Sequence, residues 1–490
     1  MVAVCGLVYE LLIGTLSSYL IGDSVFAFSL VIGLFMTSMG LGSWGSRFVR
    51  QGLAAAFVQV QTWVGLVGGL APLALFYAFA QLETYYPFLV LVTVLIGTLI
   101  GFEIPLVLRL AERLRELRIN VANVLTADYI GALAASLLFP LVLVPQLGLL
   151  RVGLFFGLLN LGVAAFAAWV FREELSRHRQ LIFGLAVAMG LLVTLYLGSG
   201  LLTRLIEDRL YEDEIIYAES TPYQRIVVTR DGARIRLFLD GALQLDSLDE
   251  YRYHESLVHP ALALSERRDR VLVLGGGDGM AAREILRWPD VSRVDLVDLD
   301  PAVTRLFADN SLLQRLNDGA LDDPRVTIHN VDAWQFVKKS ADLYDTIVVD
   351  LPDPRTLALS RLYTRAFYRD LVSRLARGGV LVTQATSPLY ARKAFWCIAE
   401  TLESLRLGET LPYHAYVPSF GEWGFVMASR KRLDWDAIDL PGGLRFLSPI
   451  ILAAMPAFPA DMTRPPVEIN RLADHVLLRY YEEGWSRWFE

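Results

Sequence analysis

The chain has 490 residues, of which 54% are apolar, and it carries a net charge of −7 at pH 7. Its mean hydropathy of +0.42 is too high for an ordinary soluble protein, and its acidic balance excludes the broad basic face that nucleic-acid binding needs. Two cysteines, Cys5 and Cys397, are too few for a disulfide framework. The histidines and cysteines lack metal-ligand spacing, so we expect neither a metal nor a prosthetic group.

The apolar residues are concentrated in the first 200 positions, which hold ten Arg, nine acidic residues and no Lys. The remainder has the composition of a globular domain. This split predicts an α-helical multi-span membrane domain over residues 1–200, embedded in a lipid bilayer, followed by a soluble domain. About seven stretches are long and apolar enough to be spans: 3–21, 25–48, 54–82, 84–108, 122–146, 150–171 and 180–200. The first lacks a basic leader region and a cleavage site, which favours a retained span over a signal peptide.

The arginines fall in alternate loops between these stretches, which indicates that those loops face the cytoplasm. Seven spans would then place the soluble domain outside, although the reaction predicted below requires an active site that faces the cytoplasm. The conflict disappears if the short first stretch is miscounted as a span, or if the rule fails here. We expect a multi-pass protein of the cell (inner) membrane with a cytoplasmic catalytic domain.

Three acidic residues lie inside predicted spans: Glu10, Glu103 and Asp128. Carboxylates within a membrane are costly and usually mark a function. Three of them without a basic partner in the spans could line a route for an organic cation. The alternative is that they are hydrogen-bonded packing elements or lie near the interface.

Four further segments follow. Residues 201–214 are a charged amphipathic connector, and residues 215–264 alternate apolar and polar side chains around the turn signals Asp231-Gly232 and Asp240-Gly241, which predicts a small β-strand domain. Residues 265–430 alternate strand and helix patterns, which is typical of an α/β Rossmann-like, methyltransferase-type doubly wound domain. Residues 431–490 form a C-terminal extension with a helix that packs on the domain or the membrane.

The first strand of the doubly wound domain ends in Gly275-Gly276-Gly277, and the second ends in Asp298 about 20 residues later. A glycine turn lets backbone approach a nucleotide-like ligand, and an acid at this offset can bind both ribose hydroxyls. The loop also holds Asp278, whose charge would repel a pyrophosphate. We therefore expect a nucleoside with a cationic arm as ligand, with a helix N-cap as the alternative role of Asp278.

Carboxylates also end the next two strands. Asp332 follows the third strand and could accept a hydrogen bond from an adenine amino group. Asp350 and Asp353 stand in the sequence VVDLPDP after the fourth strand, where a plain Asp-Pro turn is the alternative interpretation. Because the carboxyl ends of parallel strands meet in one crevice, we expect Asp278, Asp298, Asp332 and Asp350 to face one ligand.

At these residues the chain resembles the aminopropyltransferases, the spermidine synthase family, over roughly residues 215–430. The similarity is carried by the strings AESTPYQRIVV, LDGALQLDSLDEYRYHE, VLVLGGGDGMAAREIL, VDLVDLD, DPRVTIHNVDA, VVDLPDP and LYTRAFYRDLVSRLARGGVLVTQATSP. The strings GDSVFAFSLVIGLFMTSMGLGS and ADYIGALAASLLFP in the apolar half are similar to the multi-span bacterial form of this family.

The resemblance implies transfer of an aminopropyl group from decarboxylated S-adenosylmethionine, a co-substrate, to a diamine, usually putrescine. It implies a donor site made of Gln224, Gln244, Gly275, Gly276, Gly277, Asp278, Asp298, Asp332 and Ala333. It implies an acceptor site made of Tyr253, His254, Asp278, Asp350 and Asp353. The resemblance also implies that Asp278 binds the donor's propylamine nitrogen. We expect Asp350 to be the catalytic base and Tyr253 to orient the amine. Soluble relatives form homodimers or homotetramers.

The chain departs from the family pattern mainly in the acceptor region. The usual DSSDP is DLPDP here, so Leu351 and Pro352 replace two serines, and Phe420 stands where soluble members often have Tyr. Two other functions stay open: a methyltransferase that uses ordinary S-adenosylmethionine, which Asp278 disfavours because two carboxylates would meet, and a polyamine transporter or sensor whose soluble domain only binds.

Overall fold

The computed structural model describes residues 2–21, 24–81, 85–111, 117–175, 178–202 and 211–489. The chain divides into two compact units, Met1–Ile215 and Ile216–Glu490. Most of the predicted connector, residues 203–210, lies outside the described residues.

The first unit is helical throughout its described part. Its α-helices are α1 (Val2–Ile21), α2 (Ser24–Gly45), α3 (Leu53–Gln81), α4 (Tyr86–Gly101), α5 (Glu103–Ala111), α6 (Leu117–Leu138), α7 (Val144–Val170) and α8 (His178–Leu197). Five helical stretches in the described residues are long and apolar enough to cross a membrane, judged by length and composition alone: Phe26–Phe48, Leu53–Phe79, Tyr86–Leu110, Val121–Val170 and Arg179–Leu197.

The seven predicted stretches are helical over most of their described residues. The boundaries between them differ from the prediction. Two of them, 122–146 and 150–171, share the stretch Val121–Val170. A π-helical turn at Phe139–Leu143 joins α6 to α7, and the helix breaks at Gly148, whose φ of 73° and ψ of 161° are not helical. The apolar part of α1, Val4–Ser18, is shorter than the other stretches.

The acidic residues of this unit differ in their surroundings. Glu103 is buried, and Gln61 Nε2 on α3 donates a hydrogen bond of 2.8 Å to its Oε1. Glu10 and Asp128 are half-buried. Glu103 therefore has the hydrogen-bonded packing environment that was the alternative to a cation route.

The second unit begins with a four-stranded sheet in the order β1-β2-β3-β4: β1 (Glu214–Ser220), β2 (Arg225–Asp231), β3 (Arg234–Leu239) and β4 (Ala242–Asp246). Strands β2, β3 and β4 pair antiparallel. The predicted turns lie between them, where Gly232 and Gly241 have φ of 58° and 77°, conformations that favour glycine. Helix α9 (Glu250–Leu264) follows, and its apolar face packs into the core of the larger sheet.

The larger sheet has seven strands in the order β10-β11-β9-β8-β5-β6-β7. They are β5 (Arg270–Gly275), β6 (Arg293–Asp298), β7 (Val326–Asn330), β8 (Tyr344–Asp350), β9 (Leu375–Gln384), β10 (Glu409–Val417) and β11 (Gly421–Ser429). Strands β5 to β9 pair in parallel, and β10 and β11 add an antiparallel edge. Successive strands are added in opposite directions from the β5–β8 pair: β6 and β7 follow on the side of β5, and β9 follows on the side of β8. The position between β5 and β8 is therefore the switch point where doubly wound folds bind ligands.

Helices cover both faces of this sheet, as the alternating pattern predicts. They are α10 (Met280–Leu286), α11 (Pro301–Asp309), α12 (Ser311–Gln314), α13 (Ala333–Lys339), α14 (Leu357–Ser360), α15 (Arg365–Val372), α16 (Arg392–Glu403), α17 (Pro449–Ala454) and α18 (Val476–Phe489). The last of these belongs to the C-terminal extension and packs against α16.

Candidate active site

The glycine turn after β5 brings backbone close to the end of β8. Gly275 pairs with Asp350 in the parallel register and has φ of +82°. A Cβ at Gly275 would collide with the Asp350 carbonyl, and one at Gly277 would stand 2.6 Å from Asp298 Oδ2. Glycine is therefore needed at both positions, and the turn and the strand ends form one tightly packed wall.

Asp298 is fixed at the end of β6 by two backbone donors. Gly277 N–H donates to Oδ2 at 3.0 Å, and Asp300 N–H donates to Oδ1 at 2.9 Å. Burial raises the pKa of this carboxyl to about 6 despite these bonds. The carboxylate lines a cavity, where its remaining lone pairs can accept from a pair of hydroxyl groups.

Asp278 lies in the turn before α10. Its Oδ1 accepts from Met280 N–H at 2.9 Å, but the N-cap of the helix is Gly279, so the N-cap alternative for Asp278 is wrong. Its carboxylate also lines the cavity. Burial raises the pKa of Asp278 to about 6, an effect that the charge of His254 partly offsets.

Asp350, Tyr253 and His254 form a buried polar group at the switch point. The Tyr253 hydroxyl donates to Asp350 Oδ1 at 2.7 Å, and His254 Nε2 lies 3.9 Å from Asp350 Oδ2. Burial raises the pKa of Asp350, while the charge of His254 and the bond from Tyr253 work against that rise. Asp350 is thus a poorly solvated carboxylate with a hydrogen-bonded oxygen, which suits a general base.

His254 is held by a carboxylate on its other side. His254 Nδ1 lies 2.9 Å from Glu250 Oε2, and Arg283 donates to both oxygens of Glu250 at 3.0 and 2.9 Å. Burial opposes a charged ring, but the bond to Glu250 and the nearby carboxylates raise the pKa of His254 to about 9. An imidazolium is therefore present beside Asp350 at neutral pH.

Asp353 lies farther along the same loop and has partners from distant parts of the chain. Thr386 Oγ1 donates to its Oδ2 at 3.2 Å, Gln384 Nε2 donates to its Oδ1 at 3.4 Å, and Tyr481 lines the same cavity. Burial raises the pKa of Asp353 to about 6. This carboxylate is the second anionic position available to a cationic ligand near Asp350.

These groups surround a cavity of about 450 Å³. Among its lining residues are ten of the predicted site residues: Gln244, Tyr253, His254, Gly275, Gly276, Gly277, Asp278, Asp298, Asp350 and Asp353. Four acidic side chains in one small cavity give it a strongly anionic wall. Within the described part of the chain, no cluster of three or more His, Cys, Asp or Glu side chains is arranged to hold a metal ion.

Three predicted donor-site residues do not line this cavity: Gln224, Asp332 and Ala333. Gln224 Nε2 donates to Asp300 Oδ2 at 3.1 Å. Asp332 caps α13 by accepting from Gln335 N–H at 2.9 Å, and it forms an ion pair with Arg361. Ala333 is the buried first residue of α13. Their roles toward the donor stay predictions.

Several lining residues were not predicted from the sequence: Arg355, Gln384, Tyr390, Tyr416, Trp423, Tyr481 and Trp485. Two of them, Tyr481 and Trp485, come from α18 in the C-terminal extension, more than 120 positions after Asp353 in the sequence. The motif YYEEGW does not distinguish a helix that packs on the domain from one that enters its site. Two aromatic residues four positions apart were the available signal.

A doubly wound domain with buried carboxylates around a cavity at its switch point has the form of an enzyme that binds a nucleoside-like ligand together with cationic groups. Comparison with known proteins shows which enzyme family has these features. A sequence profile described as "Spermine/spermidine synthase domain" matches residues 250–437.

Curated relatives match the whole chain. Polyamine aminopropyltransferase of Leptospira interrogans is 47% identical over 483 residues, which cover 99% of this chain and 97% of that protein. Polyamine aminopropyltransferase 2 of Ralstonia nicotianae is 48% identical over 496 residues, with coverage of 99% and 96%. A spermidine synthase solved with the transition-state analogue AdoDATO is 25% identical, with a TM-score of 0.47, and the match covers 50% of this chain and 86% of that one.

The chain belongs to the polyamine aminopropyltransferase family, the spermidine synthase family that its motifs resemble, and it is an enzyme of this kind. The predicted family and the predicted enzyme class are thereby confirmed.

Proposed function

We propose that this enzyme transfers the aminopropyl group of decarboxylated S-adenosylmethionine to putrescine, which yields spermidine and methylthioadenosine. The observation that carries the proposal is the position of Asp278 beside Asp298 and Asp350 in one cavity. A donor with an ammonium arm would neutralise Asp278. The carboxylate of ordinary S-adenosylmethionine would meet Asp278 as a like charge, which opposes a methyltransferase function.

The donor is expected to bind along the ends of β5 and β6. Asp298 accepts from the ribose hydroxyls, and the glycine turn leaves room for the nucleoside because it has no side chains. Asp278 binds the propylamine nitrogen through its free lone pairs. This arrangement places the methylene next to the sulfonium toward Asp350, the other carboxylate at the switch point.

The acceptor diamine is expected to lie between Asp350 and Asp353. An alkylammonium has a pKa near 10 and no free electron pair, so it must lose a proton before it can attack. Asp350 takes that proton while Tyr253 keeps the carboxylate oriented. The nitrogen lone pair then forms a bond to the methylene carbon, the carbon–sulfur bond breaks, and its electron pair neutralises the sulfonium as a thioether. The product carries a secondary ammonium, and the proton on Asp350 leaves to solvent.

The positively charged sulfonium is a good leaving group, so the protein contributes mainly orientation and proton removal. His254 assists in the empty enzyme as an internal cation that keeps Asp278 and Asp350 ionised. The incoming ammonium groups of donor and acceptor then take over this neutralising role.

The decisive assay mixes the full-length enzyme with decarboxylated S-adenosylmethionine and a panel of diamines, and it identifies products by mass spectrometry. Equal amounts of methylthioadenosine and an aminopropylated diamine are expected, with putrescine as the best acceptor. A methylated product from ordinary S-adenosylmethionine would contradict the proposed reaction. A diamine that is a better acceptor than putrescine would contradict only the proposed acceptor. Omission of the acceptor controls for slow hydrolysis of the donor.

Activity should depend on pH through the carboxyls that bind the donor. Asp278 and Asp298 both have a pKa raised to about 6 by burial, so both become protonated as the pH falls through that value. We expect kcat/KM for the donor to fall below pH 6 more steeply than one protonation would cause. A pH profile taken with saturating acceptor measures this slope, and a constant kcat/KM between pH 5 and pH 8 would refute it.

We also propose that the first unit holds the enzyme in the cell membrane and that the catalytic unit faces the cytoplasm. The anchoring is supported by the five long apolar helical stretches, whereas the orientation rests on the proposed reaction, whose substrates are cytoplasmic. Washing of isolated membranes with alkaline carbonate should leave the protein in the pellet, and protease added to sealed, right-side-out cells should leave the catalytic unit intact. Release by carbonate would disprove the anchoring, and cleavage in intact cells would disprove the orientation.

A further inference from the structure

Helix α18 contributes side chains to the cavity although it lies beyond the residues 250–437 that match the family profile. Tyr481 and Trp485 are four positions apart and so lie on the same face of the helix. Both line the cavity together with Asp353 and Tyr390. The C-terminal extension is therefore part of the wall of the active site.

Tyr481 lies beside Asp353, since both side chains line the cavity. The polar interaction of its hydroxyl with the Asp353 carboxylate favours the ionised form and counteracts the rise in pKa that burial causes. Burial raises the pKa of Tyr481 itself, so the hydroxyl keeps its proton. Thr386 and Gln384 approach the same carboxylate from β9 and its end, so Tyr481 is the contact that the extension adds.

Trp485 supplies an aromatic surface beside this carboxylate. Its ring centroid lies 5.2 Å from that of Tyr390, with 41° between the ring planes. Both rings line the cavity. Aromatic rings pack against methylene groups and attract a nearby ammonium through their faces. Arg355 also lines the cavity, and its guanidinium disfavours a further positive charge.

The helix is seated closely on the catalytic domain at this point. A Cβ at Gly484 would lie 2.7 Å from Ala391 Cα and 2.9 Å from the Tyr390 carbonyl oxygen, so only glycine allows this approach. Lys393 Nζ on α16 lies 3.4 Å from Glu483 Oε2. These contacts of the two residues before Trp485, together with the contact of its ring with Tyr390, fix the position of the ring relative to the cavity.

We propose that Tyr481 and Trp485 form the end wall of the acceptor site: Tyr481 positions Asp353 for the distal ammonium, and Trp485 limits the length of the acceptor to a short diamine. This inference rests on the proposed function, in which Asp353 binds the acceptor. It assigns acceptor selection to a helix outside the family's catalytic domain.

The test of Trp485 is the acceptor preference of the full-length enzyme. Trp485→Ala should raise kcat/KM for cadaverine and spermidine relative to putrescine by about tenfold or more, the size of effect expected for an altered apolar pocket. Trp488→Ala is the matched control, since Trp488 also contacts Tyr390, at 5.1 Å between centroids, but does not line the cavity. Its acceptor preference should equal that of the wild type.

The test of Tyr481 separates positioning from a general structural effect. Tyr481→Phe should raise KM for putrescine by about tenfold while kcat changes little, since the polar interaction of the hydroxyl with a charged group is lost. The acid limb of putrescine binding should also move to higher pH, because Asp353 loses an interaction that favours its ionised form. A purely structural role would change kcat and KM for the donor as well.

The outcomes are distinguishable. Absence of any aminopropylated product with wild-type enzyme would overturn the proposed function. Normal transfer with an unchanged acceptor preference in Trp485→Ala, and an unchanged KM for putrescine in Tyr481→Phe, would overturn only the end wall. If Trp485→Ala does not fold, Trp485→Phe replaces it, with a smaller shift in the same direction expected and no shift counting against the proposal.

Discussion

Replacement of Asp350 by Asn should reduce kcat by about a hundredfold to ten-thousandfold, the range expected when a general base is lost. The amide retains an oxygen that can accept the 2.7 Å hydrogen bond from the Tyr253 hydroxyl, so the local geometry is kept. It cannot take a proton from the acceptor ammonium. Product formation at saturating donor and putrescine, followed by mass spectrometry, measures the effect.

The control for this variant is binding of methylthioadenosine, the neutral product, which should retain its wild-type affinity because it lacks the charged arm near Asp350. Tyr253→Phe should have a smaller effect than Asp350→Asn, since it removes only the orienting hydroxyl. Wild-type turnover in Asp350→Asn would show that another group accepts the proton. Asp353, the other carboxylate of the proposed acceptor site, would then be the group to replace next.

The carboxylates at the strand ends could be predicted because the relevant pattern is local. Asp298 and Asp350 each close an apolar run, and parallel strands present such residues at one edge of the sheet. The pairing of β5 with β8, which sets Gly275 beside Asp350, depends on strand order and register, and the alternation of strand and helix specifies neither. The helical unit was predictable for a similar reason, since length and apolar content alone define its helices.

The partners of Asp353 could not be predicted, because they depend on tertiary packing. Thr386 follows β9, and Tyr481 belongs to α18. No local spacing connects these positions to the loop after β8. The same holds for Gln61 and Glu103 in the first unit, which are 42 positions apart and meet only when α3 and α5 pack together.

The sequence DLPDP has a structural explanation that the motif alone does not provide. The Tyr363 hydroxyl donates to the Leu351 and Pro352 carbonyls at 3.1 and 3.0 Å, and Gln384 Nε2 donates to the Leu351 carbonyl at 2.7 Å. The loop is thus held through backbone oxygens, which any residue provides. Serine side chains are not needed for its position, and Leu351 and Pro352 give this part of the cavity an apolar lining.

Replacement of Asp278 by Asn should lower kcat/KM for decarboxylated S-adenosylmethionine by about a hundredfold, because a buried ammonium of the donor loses its paired charge. Ordinary S-adenosylmethionine should lose much less affinity or gain some, since its carboxylate no longer meets a like charge. Methylthioadenosine, which has no charged arm, should bind as it does to the wild type. Competition binding of the three ligands measures all of these changes, and an equal loss for all three would refute the assignment.

The same variant should be more stable than the wild type in the absence of ligand. The pKa of Asp278 is about 6 in the folded protein, above the value near 3.9 of an unfolded chain. The folded state therefore binds the proton more tightly, and the stability that this provides is full below pH 4 and is lost as the pH rises through 6. At pH 8 the wild type must keep a buried charge that Asn lacks.

The melting temperature of Asp278→Asn should exceed that of the wild type by a few degrees at pH 8, and the difference should shrink at pH 5. The control Asp439→Asn replaces an exposed carboxylate and should leave the melting temperature at pH 8 unchanged. If Asp278→Asn melts below the wild type at pH 8, the Asp278 carboxylate stabilises the fold instead of serving only the donor.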